Sequence, residues 1–550
     1  MVGGLPNPKK GLFAMRNVRQ FPGRCPAGRP APGRYVAVII SAIAFLSAAC
    51  GSSPSGSSPT SAPTSHILKL AFLSDMGAPD PDVFYATEGL EVMTTVYQGL
   101  LQYANNSTRV VGDLAKSWVA SDSGLTYTFQ LQPGVTFHDG TPFNSAAVKF
   151  SFGRRTAIGQ GPAYMLAHVS AVDTPSPTTV VVHLDQPVSA FSDYLASPFG
   201  PKMVSPTEIS AHTVNNDWGQ KWLLNYDAGT GPYEISKWTA NQHYVLKRFP
   251  GYWGPKPYFV TILVTILPDI TTQEIQLRQG ELDMIDHGLS PSAQASFTGS
   301  SKFLVQSYPT EMKGILFINS HKGPFVTQEA RNALQRALNK STLTKEVYGS
   351  QGQASTQIFP TGELPASDQS SVVSYRPSVL KALVPKLPTK TVDIGFDPTD
   401  PRNQLLAEFI QVNLTSEGMT ASTRAIPIGQ IFSLASDPTA APDILIQTTN
   451  PDAAHPDTWS RIYMNEAGGA NYLQCFSSAA DALMNTGLAA TTQATGDANY
   501  GKAGNLLVKQ GCFIDIADVQ DAIVSRAGLT GFFHVPSIPW AVNLGTLRNG

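Results

Sequence analysis

The sequence predicts a mixed α/β body of two or three domains, carried behind an export leader. Three observations support this expectation. The chain has 550 residues, more than one compact core usually organises. Its apolar pattern switches between a period of two and a period near 3.6 without regular βα alternation. An apolar run, Tyr35 to Leu46, leads directly into small residues and a cysteine.

The leader is read from its charge and its length. Seven of the 38 basic residues precede Cys50 and no acidic residue does. The run from Tyr35 to Leu46, broken only by Ser41, has 12 residues. That is short of the roughly 20 needed to span a membrane and suits a signal-peptide core. Met15 is an alternative start, because the basic stretch before the run is long. Ser47, Ala48 and Ala49 then precede Cys50, which resembles the lipobox of bacterial lipoproteins. The resemblance implies a lipid on the Cys50 thiol and membrane contact through that lipid only. It departs at Ser47, where leucine is usual; Leu46 sits one place early. The leader is therefore expected over 1–49, with the lipidated cysteine and a tether over 50–66. Gly51 to Ser65 carries no charge and no large apolar side chain, so it has nothing with which to build a core.

Removing the leader leaves 31 basic residues against 40 acidic ones, a net of −9. Such a body has no basic field to displace phosphate counterions, and nucleic acid is excluded as a partner. The cysteines follow the same logic. Cys25 leaves with the leader and Cys50 is acylated. Cys475 and Cys512 remain as a pair in an oxidising compartment, where a disulfide is expected; two buried thiols are the alternative.

Within the body, Ile67 to Leu73, Thr126 to Leu131, Thr179 to Leu184 and Val260 to Leu267 read as strands. Thr271 is read as a helix start, with Glu274 completing a capping box and Gly280 as the stop. Thr327 to Val347 keeps a helical period, as do Leu405 to Leu414, Ala479 to Leu488 and Tyr500 to Val508. No later run reaches 18 apolar residues.

Four groups of residues then narrow the reading. The first is Asp113-Leu114-Ala115-Lys116-Ser117-Trp118, continuing through Gly124-Leu125-Thr126-Tyr127-Thr128-Phe129 to Pro133-Gly134-Val135-Thr136-Phe137-His138-Asp139-Gly140-Thr141-Pro142-Phe143. The second is Gly229-Thr230-Gly231-Pro232-Tyr233 with Trp238 and Tyr252-Trp253. The third is Leu277-Arg278-Gln279-Gly280-Glu281-Leu282-Asp283. The fourth is Phe317-Ile318-Asn319, Gly323-Pro324-Phe325, Arg331 and Ala333-Leu334. Together, over about residues 67 to 548, the chain resembles the extracytoplasmic solute-binding proteins, family 5, of dipeptide and oligopeptide ABC importers. Phe137 to Gly140 fits a strand end and a tight turn better than a catalytic or metal-ligating pair, and Trp118, Trp238 and Trp253 are expected in the core.

The resemblance implies a two-lobed periplasmic-binding-protein type II (Venus-flytrap) fold with an additional inserted domain. Lobe I is expected over 67–100, 230–310 and 520–550, the inserted domain over 101–229 and lobe II over 311–519. The lobes would close on a peptide ligand by a hinge. The implied partners are the permease and ATPase subunits of an ABC transporter, with the protein itself a monomer on the outer face of the cell membrane and no cofactor or metal.

An extended peptide offers backbone groups to strand edges, and its charged ends need partners of opposite sign. Ser74, Met76 and Gly77 resemble the segment that pairs ligand backbone. The stretch Thr448, Thr449, Asn450, Asp452 to Trp459 resembles the loop carrying an ammonium-binding aspartate. Counting back from His455-Pro456-Asp457 puts that aspartate near Thr448 or Thr449, so either Asp452 takes the role or the amine anchor is missing. Lys322 and Arg424 are candidates for the ligand carboxylate. Haem, a metal chelate, an opine or a sugar-like ligand is an alternative, with His66, His243, His321 and His455 at no metal-ligand spacing. A regulatory envelope lipoprotein that kept the fold and lost the anchors is another. No Gly-x-Ser-x-Gly elbow, His-Glu-x-x-His or P-loop is present, which argues against an enzyme.

Overall fold

The structure, a computed structural model, describes residues 66–369, 373–537, 539 and 542–550. The leader, Cys50 and the tether up to residue 65 lie outside the described residues.

Three larger sheets organise the body. The first joins Ile67–Phe72 to Thr261–Ile266 in parallel, then adds His243–Arg248 and Tyr233–Thr239 antiparallel. The second is antiparallel, in the order Ala115–Ala120, Thr126–Leu131, Thr179–Leu184, Val169–Ser176. Alternation explains its inner face: Tyr127, Phe129 and Leu131 on one strand and Val180, Val182 and Leu184 on its neighbour are buried. These side chains share one core with Leu68, Leu70 and Phe72 of the first sheet.

The third sheet has seven strands. Thr391–Phe396 lies parallel to both Thr420–Ala425 and Ile444–Thr449. Phe303–Ile318 and Phe513–Arg526 are long antiparallel partners. The period of two assigns the faces. Met312, Leu316, Ile318, Ile444, Ile446, Ile514 and Ile516 pack against helices Gln328–Ala337, Lys340–Tyr348 and Pro401–Ser416. Ile315, Phe317, Leu445 and Phe513 face the other way, against Pro456–Tyr463, Ser478–Leu488 and Gln493–Gln510. The two long strands also continue beyond this layer. Their far ends reach a core in which Val524 packs with Ala71, Leu277 and Ile285. Their register shifts between Pro309 and Lys313, a bulge that re-aims the side chains within it.

Several local expectations change. The helix expected from Thr271 runs Ile270–Gln279, and its cap is Asp269, whose carboxylate accepts the Thr272 N–H. Gly280 ends it in the left-handed region. The period over Thr327 to Val347 is two helices, each with its own cap: Thr327 accepts from Ala330 N–H and Asn339 from Thr342 N–H. Trp253 is not in the core; it is partly exposed, and its indole N–H donates to Gln98. Gly229 and Gly231 answer a packing need. A Cβ on either would stand 2.1 Å from a carbonyl oxygen at the end of the helix Leu90–Val96, Val96 O for Gly229 and Thr95 O for Gly231.

Cys475 Sγ is bonded to Cys512 Sγ, with the Cα atoms 5.9 Å apart, inside the helix-covered core of the third sheet. Among the described residues no helix is long and apolar enough to cross a membrane.

Candidate ligand-binding site

The strand Ile444–Thr449 delivers the candidate loop. Its last residues are used by the sheet: Thr448 pairs with Gly314 and Thr449 with Lys313. The Thr448 hydroxyl donates to Asn403 Oδ1 at 2.9 Å, and the Thr449 hydroxyl meets Tyr463 Oη. Both hydroxyls thus have partners inside the third sheet's layer, with Thr448 buried and Thr449 half-buried. Trp459 lies deeper. It is fully buried and its indole N–H donates to Ile358 O at 2.9 Å, so it packs and offers no face to a ligand.

The loop is held from several sides. Tyr463 Oη donates to Asn450 O, Ser197 Oγ donates to Asp452 O, and Ala454 N–H donates to Tyr103 Oη. Asn450 uses its amide on Pro451 O. Asp457, fully buried, receives Tyr194 Oη, Tyr500 Oη and a bidentate Arg461. His455 accepts the Asp457 N–H, and burial pushes its ring down to about 4.

These restraints present Asp452 to two residues distant in sequence. Its Oδ2 accepts both Tyr85 Oη at 2.7 Å and Tyr164 Oη at 2.8 Å. Its Oδ1 has no hydrogen bond among the described residues, and no cation pairs with the carboxylate there. Burial pushes the Asp452 carboxyl up to about 6, against the two tyrosine hydrogen bonds that pull it down. A buried carboxylate without a counter-ion is costly unless something brings a positive charge.

Tyr85 is positioned by a buried ion cluster that sequence reading missed. Asp80 and Asp82 lie on the turn before it, with Val83 and Phe84 N–H both donating to Asp80 O. Arg154 donates to Asp80 and Asp82 at 2.6–2.7 Å, and Arg155 to Asp82 at 2.8 Å and to Pro81 O. Both arginines are fully buried on the helix Ser145–Ile158. The Tyr85 ring then lies edge-on to Phe199. The only hint in the sequence is the pairing of an Asp-Pro-Asp triplet with an Arg-Arg doublet.

The remaining candidates lie elsewhere. Met76 gives its N–H to Tyr244 Oη at 3.2 Å, so that donor is not open to a ligand strand; Gly77 N–H turns back to Asp75 Oδ1. Ser74 is exposed. No hydrogen bond or ring contact ties Ser74, Met76 or Gly77 to the Asp452 loop. Arg424 pairs with Asp393 at 3.0 Å on the edge strand Thr420–Ala425. Lys322 acts on Asp437 and Asp443. Asp443 immediately precedes Ile444–Thr449 and Asp452 follows it, so six residues of strand, about 20 Å, separate the two ends. A dipeptide spans roughly 7 Å. The strand register puts Lys322 and Arg424 towards the start of Ile444–Thr449 and Asp452 beyond its end, so either could serve as carboxylate partner only for a ligand longer than a dipeptide. The buried cations nearer this layer are already matched: Lys313 with Asp518, Lys340 with Asp515, Arg402 with Asp400.

Comparison with known proteins places this geometry. Residues 109–471 match the model of the bacterial extracellular solute-binding proteins, family 5. The chain is 26% identical over 492 residues to the probable D,D-dipeptide-binding periplasmic protein DdpA of Escherichia coli (strain K12), covering 88% of this chain and 94% of the relative. Among solved structures, the DppA protein of Helicobacter pylori in complex with the peptide STSA aligns with a TM-score of 0.76 at 21% identity, covering 88% of this chain and 98% of that one. NikA of Brucella suis in complex with Fe(III)-EDTA aligns with a TM-score of 0.77 at 20% identity, over 88% and 100%. The fold is thus that of two lobes with an extra domain, and the chain belongs to the bacterial extracellular solute-binding proteins of family 5.

Proposed function

We propose that this protein captures peptides with a free amino terminus and hands them to an ABC importer, held to the outer face of the membrane by a lipid on Cys50. One observation carries the proposal. Asp452 is a buried carboxylate with one oxygen capped by Tyr85 and Tyr164 and the other without a partner among the described residues. A primary ammonium supplies what is missing, a positive charge and N–H donors, and a charge-assisted hydrogen bond in a buried site is strong. Tyr85 and Tyr164 come from segments that precede the loop by hundreds of residues. An ammonium bound there would tie lobe I and the inserted domain to lobe II.

The lobes follow the boundaries given above, and the two long strands Phe303–Ile318 and Phe513–Arg526 are the hinge in this reading. Ser74 keeps its proposed role of pairing ligand backbone. Relatives named for peptides support the ligand class. An anionic chelate, such as the one in the Brucella suis protein, would set negative charge against Asp452.

Isothermal titration with a short peptide, free or N-acetylated, tests the reading. The free peptide binds wild type, and either acetylation or Asp452→Asn weakens binding on the order of 100-fold, as expected for breaking one desolvated charge pair. Equal affinity for the two peptides would refute the amine anchor.

A further inference from the structure

One cavity outside the Asp452 carboxylate site has no role so far. It lies where the helix Leu90–Val96 and the strand Leu101–Tyr103 meet the stretch from Ala196 to Lys202 and the chain around Val535 and Val542. Its volume is about 90 Å³. That is smaller than the roughly 150 Å³ that accommodates benzene, and gives room for a small polar group but not for a peptide. Val535 and Val542 supply apolar wall, and the exposed residues Gln102 and Asn543 stand on its open side.

Two buried charges of opposite sign line this cavity. Lys202 is 6% and Asp113 7% exposed. They are not in ion-pair contact with each other, and among the described residues neither has another ion-pair partner. Lys202 Nζ donates to Ser197 O at 2.9 Å. Asp113 Oδ1 accepts Gln98 Nε2 at 2.6 Å, and the Gly99 N–H also binds the carboxylate. Elsewhere in the protein buried opposite charges close to contact, as Arg154 does with Asp80, Lys313 with Asp518 and Arg402 with Asp400. Here the two charges share a cavity instead.

Charge balance selects the occupant. A buried charge is costly unless an opposite charge meets it. A lone anion on Lys202 would leave Asp113 unmatched, and a lone cation at Asp113 would leave Lys202 unmatched. An occupant that carries both charges a few ångströms apart meets both and keeps the cavity neutral. Burial pushes Lys202 down to about 8 and Asp113 up to about 7, and the charge of each opposes the shift of the other. Between those two values most of each side chain is charged.

We infer that this cavity is a second ligand site, which takes the zwitterionic head of a free α-amino acid with its carboxylate on Lys202 and its ammonium at Asp113. The volume suits the head group, and the open side lets the amino acid's side chain project past Gln102 and Asn543. The site backs onto the Asp452 loop. Ser197 holds Lys202 through its carbonyl and donates its hydroxyl to Asp452 O, and Tyr103 in the cavity wall accepts the Ala454 N–H. An amino acid bound here braces two of the contacts that hold the loop. The inference does not rest on the peptide reading.

The test titrates L-alanine into the protein by calorimetry at pH 7.5, with alaninamide and N-acetylalanine as analogues that each lack one charge. Alanine also has an ammonium that Asp452 could attract, so every titration is repeated in Asp452→Asn. Alanine is expected to bind wild type and Asp452→Asn alike, and each analogue at least about tenfold more weakly, the worth of a hydrogen bond to a charged group. Lys202→Met is expected to abolish alanine binding. The inference is overturned if wild type binds no alanine at millimolar concentration, which would leave water alone in the cavity, or if either analogue binds as well as alanine. It is also overturned if Asp452→Asn loses the binding or Lys202→Met keeps it, because alanine would then sit elsewhere. If Lys202→Met does not fold, a crystal structure of Asp452→Asn grown with alanine decides: the amino acid between Lys202 and Asp113 upholds the inference, and water alone there overturns it.

Discussion

Replacing Tyr85 by phenylalanine removes one of two hydroxyls that stabilise ionised Asp452 and leaves the ring on Phe199. The carboxyl sits at about 6 with both donors present. A hydrogen bond to a charged acceptor contributes about 1.4 kcal/mol or somewhat more, which is roughly one unit of pKa. The variant should therefore titrate near 7. An ammonium ligand needs the ionised form, so affinity is lost as pH falls through this value and recovered above it. At pH 6 the ionised fraction drops from about one half to about one tenth, a loss of roughly fivefold in affinity. At pH 8.5 both proteins are ionised and their affinities converge. Titration calorimetry with one free-amine peptide from pH 5.5 to 8.5 reads the profile directly. Superimposable profiles for wild type and Tyr85→Phe would refute the idea that the hydroxyl sets the charge of Asp452.

Three further predictions concern stability. Asp82→Asn leaves two fully buried arginines short of a carboxylate; breaking such a cluster costs on the order of 3–5 kcal/mol, measured as a lower urea midpoint, and an unchanged midpoint would refute it. The Cys475–Cys512 bond closes a separation of 37 residues, so reduction should lower stability by up to about 4 kcal/mol, seen as a drop in melting temperature with reductant that a Cys475→Ser/Cys512→Ser variant no longer shows. Asp193 and Glu311 are raised by burial to about 7 and about 8 from 3.8 and 4.5. The folded state thus binds more protons than the unfolded chain between these values, and stability falls as pH rises from about 5 to 8. Ligand-free protein should melt several degrees higher at pH 5.5 than at pH 8; a higher melting temperature at pH 8 would contradict this.

Strongly alternating segments were legible from sequence because one face of each is buried. Thr126–Leu131 and Thr179–Leu184 emerge with the expected bounds. Helix ends were less so, since capping residues compete locally. Asp269 and Thr271 can both cap, and the observed first turn selects Asp269. The periodic stretch after Thr327 hid a break because the apolar spacing continues past Asn339, which starts a second helix. In the site, counting back along the loop from Pro456 put the anchor at Thr448 or Thr449, but the strand uses both residues and leaves Asp452 as the first carboxylate beyond it. Its tyrosine donors were invisible, because Tyr85 and Tyr164 carry no local signal and meet Asp452 only through tertiary packing. Lys322 and Arg424 stand out in the sequence by charge alone, and charge does not say which end of a strand a residue occupies; the register puts both away from the Asp452 end of Ile444–Thr449.

A crystal structure of the protein grown with a free-amine tripeptide at pH 7.5 tests the central claim most directly. The account predicts the terminal ammonium within about 3 Å of Asp452 Oδ1, with Tyr85 and Tyr164 still on Oδ2. A peptide bound with its amino terminus elsewhere, and Asp452 in contact only with its two tyrosines, would contradict it.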